Sequence, residues 1–259
     1  MQPQEVGAGE LLANLSIGYI LLAIFVLTVL RLVLYPLRAP LARSVSELTE
    51  SLLVAGVLVF LIIRPFLLQA FYIPSESMEP TLLGHKKGYD SNTGDNYAED
   101  VNDRLFVYKF GIVLNKLGFS SGLPDRGDIV VFKAPKQADF TDLDQGKEPV
   151  ENVLIKRMIG KPGDVIEVKK DDKDVMRVFR NGVALPDPYI KEPMSDLANN
   201  RATFAIDRPL TLGPGEYFVM GDNRNHSNDS RFWGVVTQDR IIGRAVFIFW
   251  PLNRIRTVH

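Results

Sequence analysis

A mainly β domain carried on two N-terminal membrane-spanning helices is the architecture this sequence predicts, and three observations carry it. Two apolar runs, 15–34 and 52–70, each approach the roughly 20 residues needed to cross a bilayer core. From residue 71 onward the pattern turns to short β-like runs cut by Gly, Pro and Asp. That second part shows no long amphipathic helix and no internal repeat.

Taken in order, residues 1–14 are an N-terminal tail, 15–35 the first span, 36–50 a connecting loop and 51–71 the second span. The leading MQPQEVGAGE has no basic residue, which argues against a cleaved secretory signal. Arg31 and Arg64 lie near the ends of their runs, where long side chains reach the interface. Arg38 and Arg43 sit in the loop, whereas the tail has acids and no Lys or Arg. The positive-inside rule then places the loop in the cytoplasm and both chain ends outside, with Glu47 and Glu50 counting for little.

Residues 72–259 form the β-rich domain, a sheet or partial barrel. Strands are expected at 105–110, 128–133, 153–159, 165–169, 176–180, 217–220 and 241–250. Turn signals such as Lys161-Pro162-Gly163-Asp164 and Asn181-Gly182 separate them. A polar Gly/Asn/Asp-rich insertion near 84–103 reads as an exposed loop. A hairpin followed by Pro- and Asn-rich sequence near 171–214 reads as a subsidiary lobe.

Composition narrows the chemistry. A formal net charge of −1 carries no nucleic-acid footprint, which needs a concentrated basic face. The absence of cysteine excludes thiol nucleophiles, disulfides and cysteine-held metal or iron–sulfur sites. His85, His226 and His259 are too few and too scattered for a histidine-rich metal site, so neither metal nor cofactor is expected.

Hydroxyl chemistry remains. Ser75 and Ser77 lie in Ile73-Pro74-Ser75-Glu76-Ser77-Met78-Glu79-Pro80-Thr81-Leu82, a few residues past the second apolar run. At about 3.4 Å per residue, Ser77 stands within roughly 25 Å of chain from the bilayer surface. A serine nucleophile needs a base, and with no S-x-x-K present a lysine has to come from elsewhere in the chain. Lys156, in Val153-Leu154-Ile155-Lys156-Arg157-Met158-Ile159-Gly160, is the best candidate. On a strand it shares a face with Leu154 and Met158, while Arg157 points the other way. Lowering its pKa from about 10.4 to about 8 takes roughly 3 kcal/mol, within what burial supplies. The pattern equally allows an edge strand on which Lys156 reaches water. A third block, 221–234, is dense in hydrogen-bonding residues after an apolar strand. It reads either as a hydrated turn or as an ordered loop from which Ser227 orients an amine.

Together these blocks resemble bacterial signal peptidase I (leader peptidase), a Ser–Lys serine protease family. The resemblance covers the two N-terminal spans and the runs 73–83, 126–132, 155–164 and 221–234, in that order. It implies a membrane-bound serine endopeptidase that removes N-terminal signal peptides from exported preproteins through an acyl-enzyme. Ser77 would be the nucleophile and Lys156 the general base, with Ser75 adding an oxyanion donor beside the backbone N–H of Ser77. Ser227 would orient Lys156 with Asp229 behind it, and Asp222, Arg157 and Arg231 would form a supporting salt-bridge network. Phe71, Ile73, Met78, Leu82, Val131, Leu154 and Ile155 match positions lining two shallow pockets for small residues, as in Ala-x-Ala. The implied setting is a bacterial inner membrane, multi-pass, with the catalytic domain on the periplasmic side; preproteins and the lipid bilayer are the partners. Glu76 departs from the family, which usually has Gly there. Because glutamate takes positive φ only at a cost, it is expected in an ordinary backbone region, its side chain turned from the nucleophile.

Other signals carry less. Gly118-Phe119-Ser120-Ser121-Gly122 fits G-x-S-x-G, but Leu123-Pro124-Asp125 follows where that motif needs a helix. His226 with Ser227 and Asp222 or Asp229 spells a triad, yet neighbours in a turn seldom aim at one another. The acidic stretch 90–99 lacks the EF-hand pattern, and Arg126-Gly127-Asp128 reads as a turn entering a strand. A membrane-anchored binding protein would have lost Ser77 or Lys156, and both are present. A self-cleaving Ser–Lys protease is the second enzymatic reading.

Overall fold

A computed structural model describes residues 17–37, 39–89, 95–118, 122–135, 138, 153–195, 204–206 and 208–258. The chain divides into two compact units after Ala70. The tail at 1–14, Arg38, residues 119–121 of the G-x-S-x-G run and 90–94 of the acidic stretch lie outside the described residues.

In the first unit, α1 (Ile17–Leu34) packs on α2 (Pro40–Gly56), burying Ile20, Ala42, Ser46 and Thr49. Pro40 stands in the first turn of α2, where its missing N–H costs nothing. The helix continues through wider, π-type turns over Val57–Leu67. Residues 40–50, expected in the connecting loop, are therefore helical. Within Pro40–Leu67 the mean hydropathy reaches 2.1, so this 28-residue helix is long and apolar enough to cross a membrane by length and composition; α1 is shorter. Leu21, Leu22, Phe25, Val54 and Leu58 face outward. Arg31, in the last turn of α1, pairs with Glu50 in the body of α2 at 2.8 Å.

The second unit is built on an eight-stranded sheet whose first strand straddles the division. Its strands are β1 (Leu68–Tyr72), β2 (Arg104–Tyr108), β3 (Ile129–Lys133) and β4 (Val153–Gly160). A smaller sheet comes next in the chain, with β5 (Val165–Lys170), β6 (Met176–Arg180), β7 (Val183–Ala184) and β8 (Leu210–Thr211). The large sheet resumes with β9 (Glu216–Met220), β10 (Val236–Thr237), β11 (Ile241–Trp250) and β12 (Arg256–Thr257). Its order is β1–β2–β11–β3–β4–β9–β10, with β12 also on β11; the smaller sheet runs β7–β6–β5–β8. Asn181 and Gly182, at φ 53° and 79°, make the tight turn joining β6 to β7.

Three apolar clusters hold these layers. One joins the smaller sheet to β9 through Ile166, Val168, Val178 and Phe218. A second gathers Ile73, Met78, Leu82, Leu105, Val131 and Ile248, and a third Val130, Phe132, Met158, Val219 and Trp233. Each such side chain contributes about 1.5–3 kcal/mol on burial.

Four further expectations change. Leu68–Tyr72 is a strand where the second span was expected to run to 71, because hydropathy alone does not separate an apolar strand from a helix end. Phe110 opens a short helix, α3 (Phe110–Lys116), instead of ending β2. The insertion at 84–103 is an antiparallel ribbon, Gly84–His85 on Val101–Asn102 and Gly88–Tyr89 on Asn96–Tyr97. The hairpin in 171–214 shares a sheet with β5, so the smaller sheet begins ahead of the expected lobe.

Candidate active site

Ser77 is delivered by a short 3₁₀ turn, Glu76–Met78, closed by the Glu79 N–H on Glu76 O at 2.9 Å. Ser75 before it is extended. Glu76 is absent from the positive-φ residues, so the family glycine is not needed here for backbone freedom. Its side chain is half-buried and lies near enough to act electrostatically on Lys156.

Lys156 comes from the middle of β4, opposite Val130 of β3, and β4 also pairs with β9. It therefore stands on a central strand, and the edge-strand alternative falls. Ser77 is 8% and Lys156 4% exposed. Lys156 Nζ donates to Ser77 Oγ across 2.7 Å, and Ser75 Oγ lies 3.3 Å from Ser77 Oγ. Burial pushes the Lys156 amine down to about 8, and Arg231 assists. The Asp229, Asp222 and Glu76 carboxylates act the other way and are outweighed. Once neutral, an amine so placed can accept a proton across the same contact.

The loop after β9 closes on the turn from the far side. Asn223 N–H donates to Ser77 O at 3.2 Å and its amide to Glu76 O at 3.3 Å. A Cβ on Gly221 would fall 2.4 Å from Ser77 O and 2.3 Å from Ser227 Oγ, so only glycine permits this approach. The expected salt-bridge network resolves into separate pairs. Arg157 grips Asp222 at 2.8 and 2.7 Å and stacks on Tyr189 at 3.9 Å, and Thr81 donates to the same carboxylate at 2.6 Å. Arg231 grips Asp229 at 2.9 Å twice, and Gly221 N–H adds a donor at 3.1 Å. Burial would raise the Asp229 carboxyl, but Arg231 outweighs it and holds it below its ordinary value. With both carboxylates engaged by arginine, neither shows a hydrogen bond to His226 among the described residues, and the triad reading has no geometry behind it. Ser227 Oγ is buried against Gly221 and makes no hydrogen bond among the described residues, to Lys156 included.

Of the pocket candidates, Phe71, Ile73, Met78, Leu82, Val131 and Ile155 meet in one apolar cluster. Leu154 leaves the group: it pairs opposite Phe132 and packs in the neighbouring cluster, since consecutive strand residues face opposite ways. Ile73, Met78, Leu82 and Val131 are filled core, while Phe71 and Ile155 remain partly accessible. Sequence reasoning missed Thr81, Asn223 and the buried Arg224–Asp187 pair, at 3.0 and 3.1 Å. Asp187 and Arg224 lie far apart in the chain, with no spacing to join them.

A buried serine hydroxyl against a desolvated lysine amine, set in a β domain, is the arrangement of a serine hydrolase that uses lysine as its base. The chain belongs to the signal peptidase family, peptidase S26, whose profile, described as "Signal peptidase, peptidase S26", covers residues 45–250. It is a serine endopeptidase whose reaction is the removal of signal peptides. A Signal peptidase I of Leptolyngbya laminosa is 38% identical over 215 residues, 82% of this chain and 85% of its own length. Probable signal peptidase I-1 of Synechocystis sp. is 35% identical over 213 residues, 82% and 86% respectively. Signal peptidase I P of Bacillus subtilis subsp. natto is 33% identical over 215 residues, 82% and 93%. The family is membrane-associated, and its substrates are preproteins bearing signal peptides.

Proposed function

We propose that Ser77 is the nucleophile and Lys156 the general base with which this protein cuts signal peptides from exported preproteins. The observation that carries the assignment is the 2.7 Å contact between two buried groups, one an amine brought to about 8. Lys156 takes the Ser77 proton as Oγ attacks the scissile carbonyl carbon, giving a tetrahedral oxyanion. The Ser77 backbone N–H and the Ser75 hydroxyl stabilise that charge. Collapse breaks the peptide bond, the Lys156 ammonium protonates the departing amine, and an ester remains on Ser77. The neutral lysine then draws a proton from water, which attacks the ester and frees the signal peptide's carboxylate.

Arg157, Asp222, Asp229 and Arg231 hold β4 and the 221–234 loop in register around the pair. Ser227, its hydroxyl buried and unspent, orients the amine once substrate excludes water. Phe71, Ile73, Met78, Leu82, Val131 and Ile155 form the apolar floor for small residues before the cut bond, and Leu154 supports it from the opposite face. The two apolar helices span the inner membrane of a bacterium with the short connection between α1 and α2 cytoplasmic, so the lipid bilayer is a partner and the β domain is periplasmic. Neither metal nor nucleic acid takes part.

The test is cleavage of a signal-bearing preprotein by detergent-solubilised protein beside its Ser77→Ala variant. Cutting after a small-x-small site by the first alone supports the assignment. Equal cutting by both means that another serine is the nucleophile.

A further inference from the structure

Glu79 lies two residues past Ser77, and the proposed mechanism gives it no task. Its backbone closes the Ser77 turn, while its side chain faces inward, the residue being 3% exposed. A carboxylate left alone there would be costly. His85 Nδ1 lies 2.5 Å from Oε1, the Tyr97 hydroxyl is shared between Oε2 and Asp95 Oδ2 at 3.1 Å each, and Lys191 Nζ donates to Oε2 at 3.4 Å.

These partners converge from separate segments. His85 and Tyr97 stand on the outgoing and returning arms of the 84–102 ribbon, their rings stacked at 3.7 Å and 10°. Lys191 follows the hairpin of the smaller sheet; its ammonium also donates to Asp95, and its N–H donates to Asp222 O at 3.3 Å. Gly84 starts the ribbon so close to the nucleophile segment that a Cβ there would meet Ser75 O at 2.5 Å. Burial, then Glu79, pushes the Tyr97 phenol up to about 12, so it remains a donor at working pH. Burial works against the Lys191 ammonium, but Asp95, Tyr97 and Glu79 hold its pKa above the ordinary value.

We propose that Glu79 is a positioning residue: its carboxylate ties the turn carrying Ser77 to the ribbon through His85 and Tyr97, and to Lys191, and so fixes Ser77 Oγ at its distance from Lys156 Nζ. The 84–102 ribbon is then a brace for the catalytic centre. A three-residue turn closed by one backbone hydrogen bond has little rigidity of its own. The proposal rests on Ser77 as the nucleophile.

The experiment measures kcat, KM and the concentration of titratable active sites for the full chain in detergent, with a signal-bearing preprotein as substrate. The variants are Glu79→Gln, Tyr97→Phe, the double variant and Ser77→Ala. Each single change is expected to lower kcat per titrated site on the order of 10-fold to 10²-fold. KM should stay within about twofold. The double variant should be no worse than Glu79→Gln, because the two groups act as one unit. The acid limb of the pH profile should not move, since the base is untouched. Losses confined to melting temperature or to the titratable fraction, with kcat per site unchanged, overturn the proposal, as does additivity. An active Ser77→Ala overturns the nucleophile and this proposal together. An inert Ser77→Ala beside unimpaired Glu79 and Tyr97 variants overturns the positioning role alone.

Discussion

Lys156 and Asp164 are eight residues apart, both buried and both ionisable, yet their surroundings treat them oppositely. Asp164 takes Arg126 Nε and Nη2 at 2.8 Å each, Asn181 Nδ2 at 2.9 Å and Lys161 N–H at 3.0 Å. Burial would raise its pKa, but those donors overcome it and bring the carboxyl to about 2. Lys156 has one hydrogen-bond partner among the described residues, a neutral hydroxyl, and burial wins. Its neighbour Arg157, on the same strand, receives a bidentate carboxylate instead. A buried charge that is fully paired serves as structure, whereas one left nearly unpaired becomes a reagent.

That contrast breaks first at Lys156. Lys156→Arg should be almost inert in the cleavage assay, because guanidinium stays protonated and cannot accept the Ser77 proton; a variant with substantial turnover would mean that the base lies elsewhere. The pH profile sharpens the same point. With the amine near 8, kcat/KM should fall about tenfold per pH unit below that value, and a chelator should leave it unchanged. A limb centred well away from that value would mean that another group is the base. Ser75→Ala should cost on the order of 10²-fold in kcat, with KM little changed, if its hydroxyl serves the oxyanion. Unaltered turnover would remove it from that role.

The smallest effect lies on the paired side. Asp164→Asn should lower stability by on the order of 2 kcal/mol at neutral pH without altering cleavage per active site. Because the folded carboxyl is depressed, its contribution is present above its ordinary pKa near 3.8 and fades as pH falls toward about 2. Melting curves of wild type and variant should therefore converge in acid. A constant gap would show that shape matters there, and charge does not.

Sequence carried the strands well where apolar runs were short and bounded by turns, as at Met176–Arg180 and Ile241–Trp250. It failed at Leu68–Tyr72, where one apolar run holds both a helix end and a strand. It also failed at the ribbon, whose ordering comes from His85, Tyr97 and Glu79 meeting in space with no alternating pattern in the chain. Ser77 and Lys156 were legible as motifs, but their contact was not, since it spans 79 residues. Leu154 was within reach: alternation already placed it on the other face from Ile155.

The central position of β4 also means that the depressed amine of the proposed base belongs to the folded domain. On an unfolded chain the Lys156 amine regains its ordinary pKa near 10.4, so at pH 7.5 only about one part in a thousand is neutral. With the amine near 8, roughly a quarter is. With Lys156 as the proposed base, a newly made chain gains its neutral amine only as β3 and β9 close on either side of β4, so folding itself acts as the safety catch.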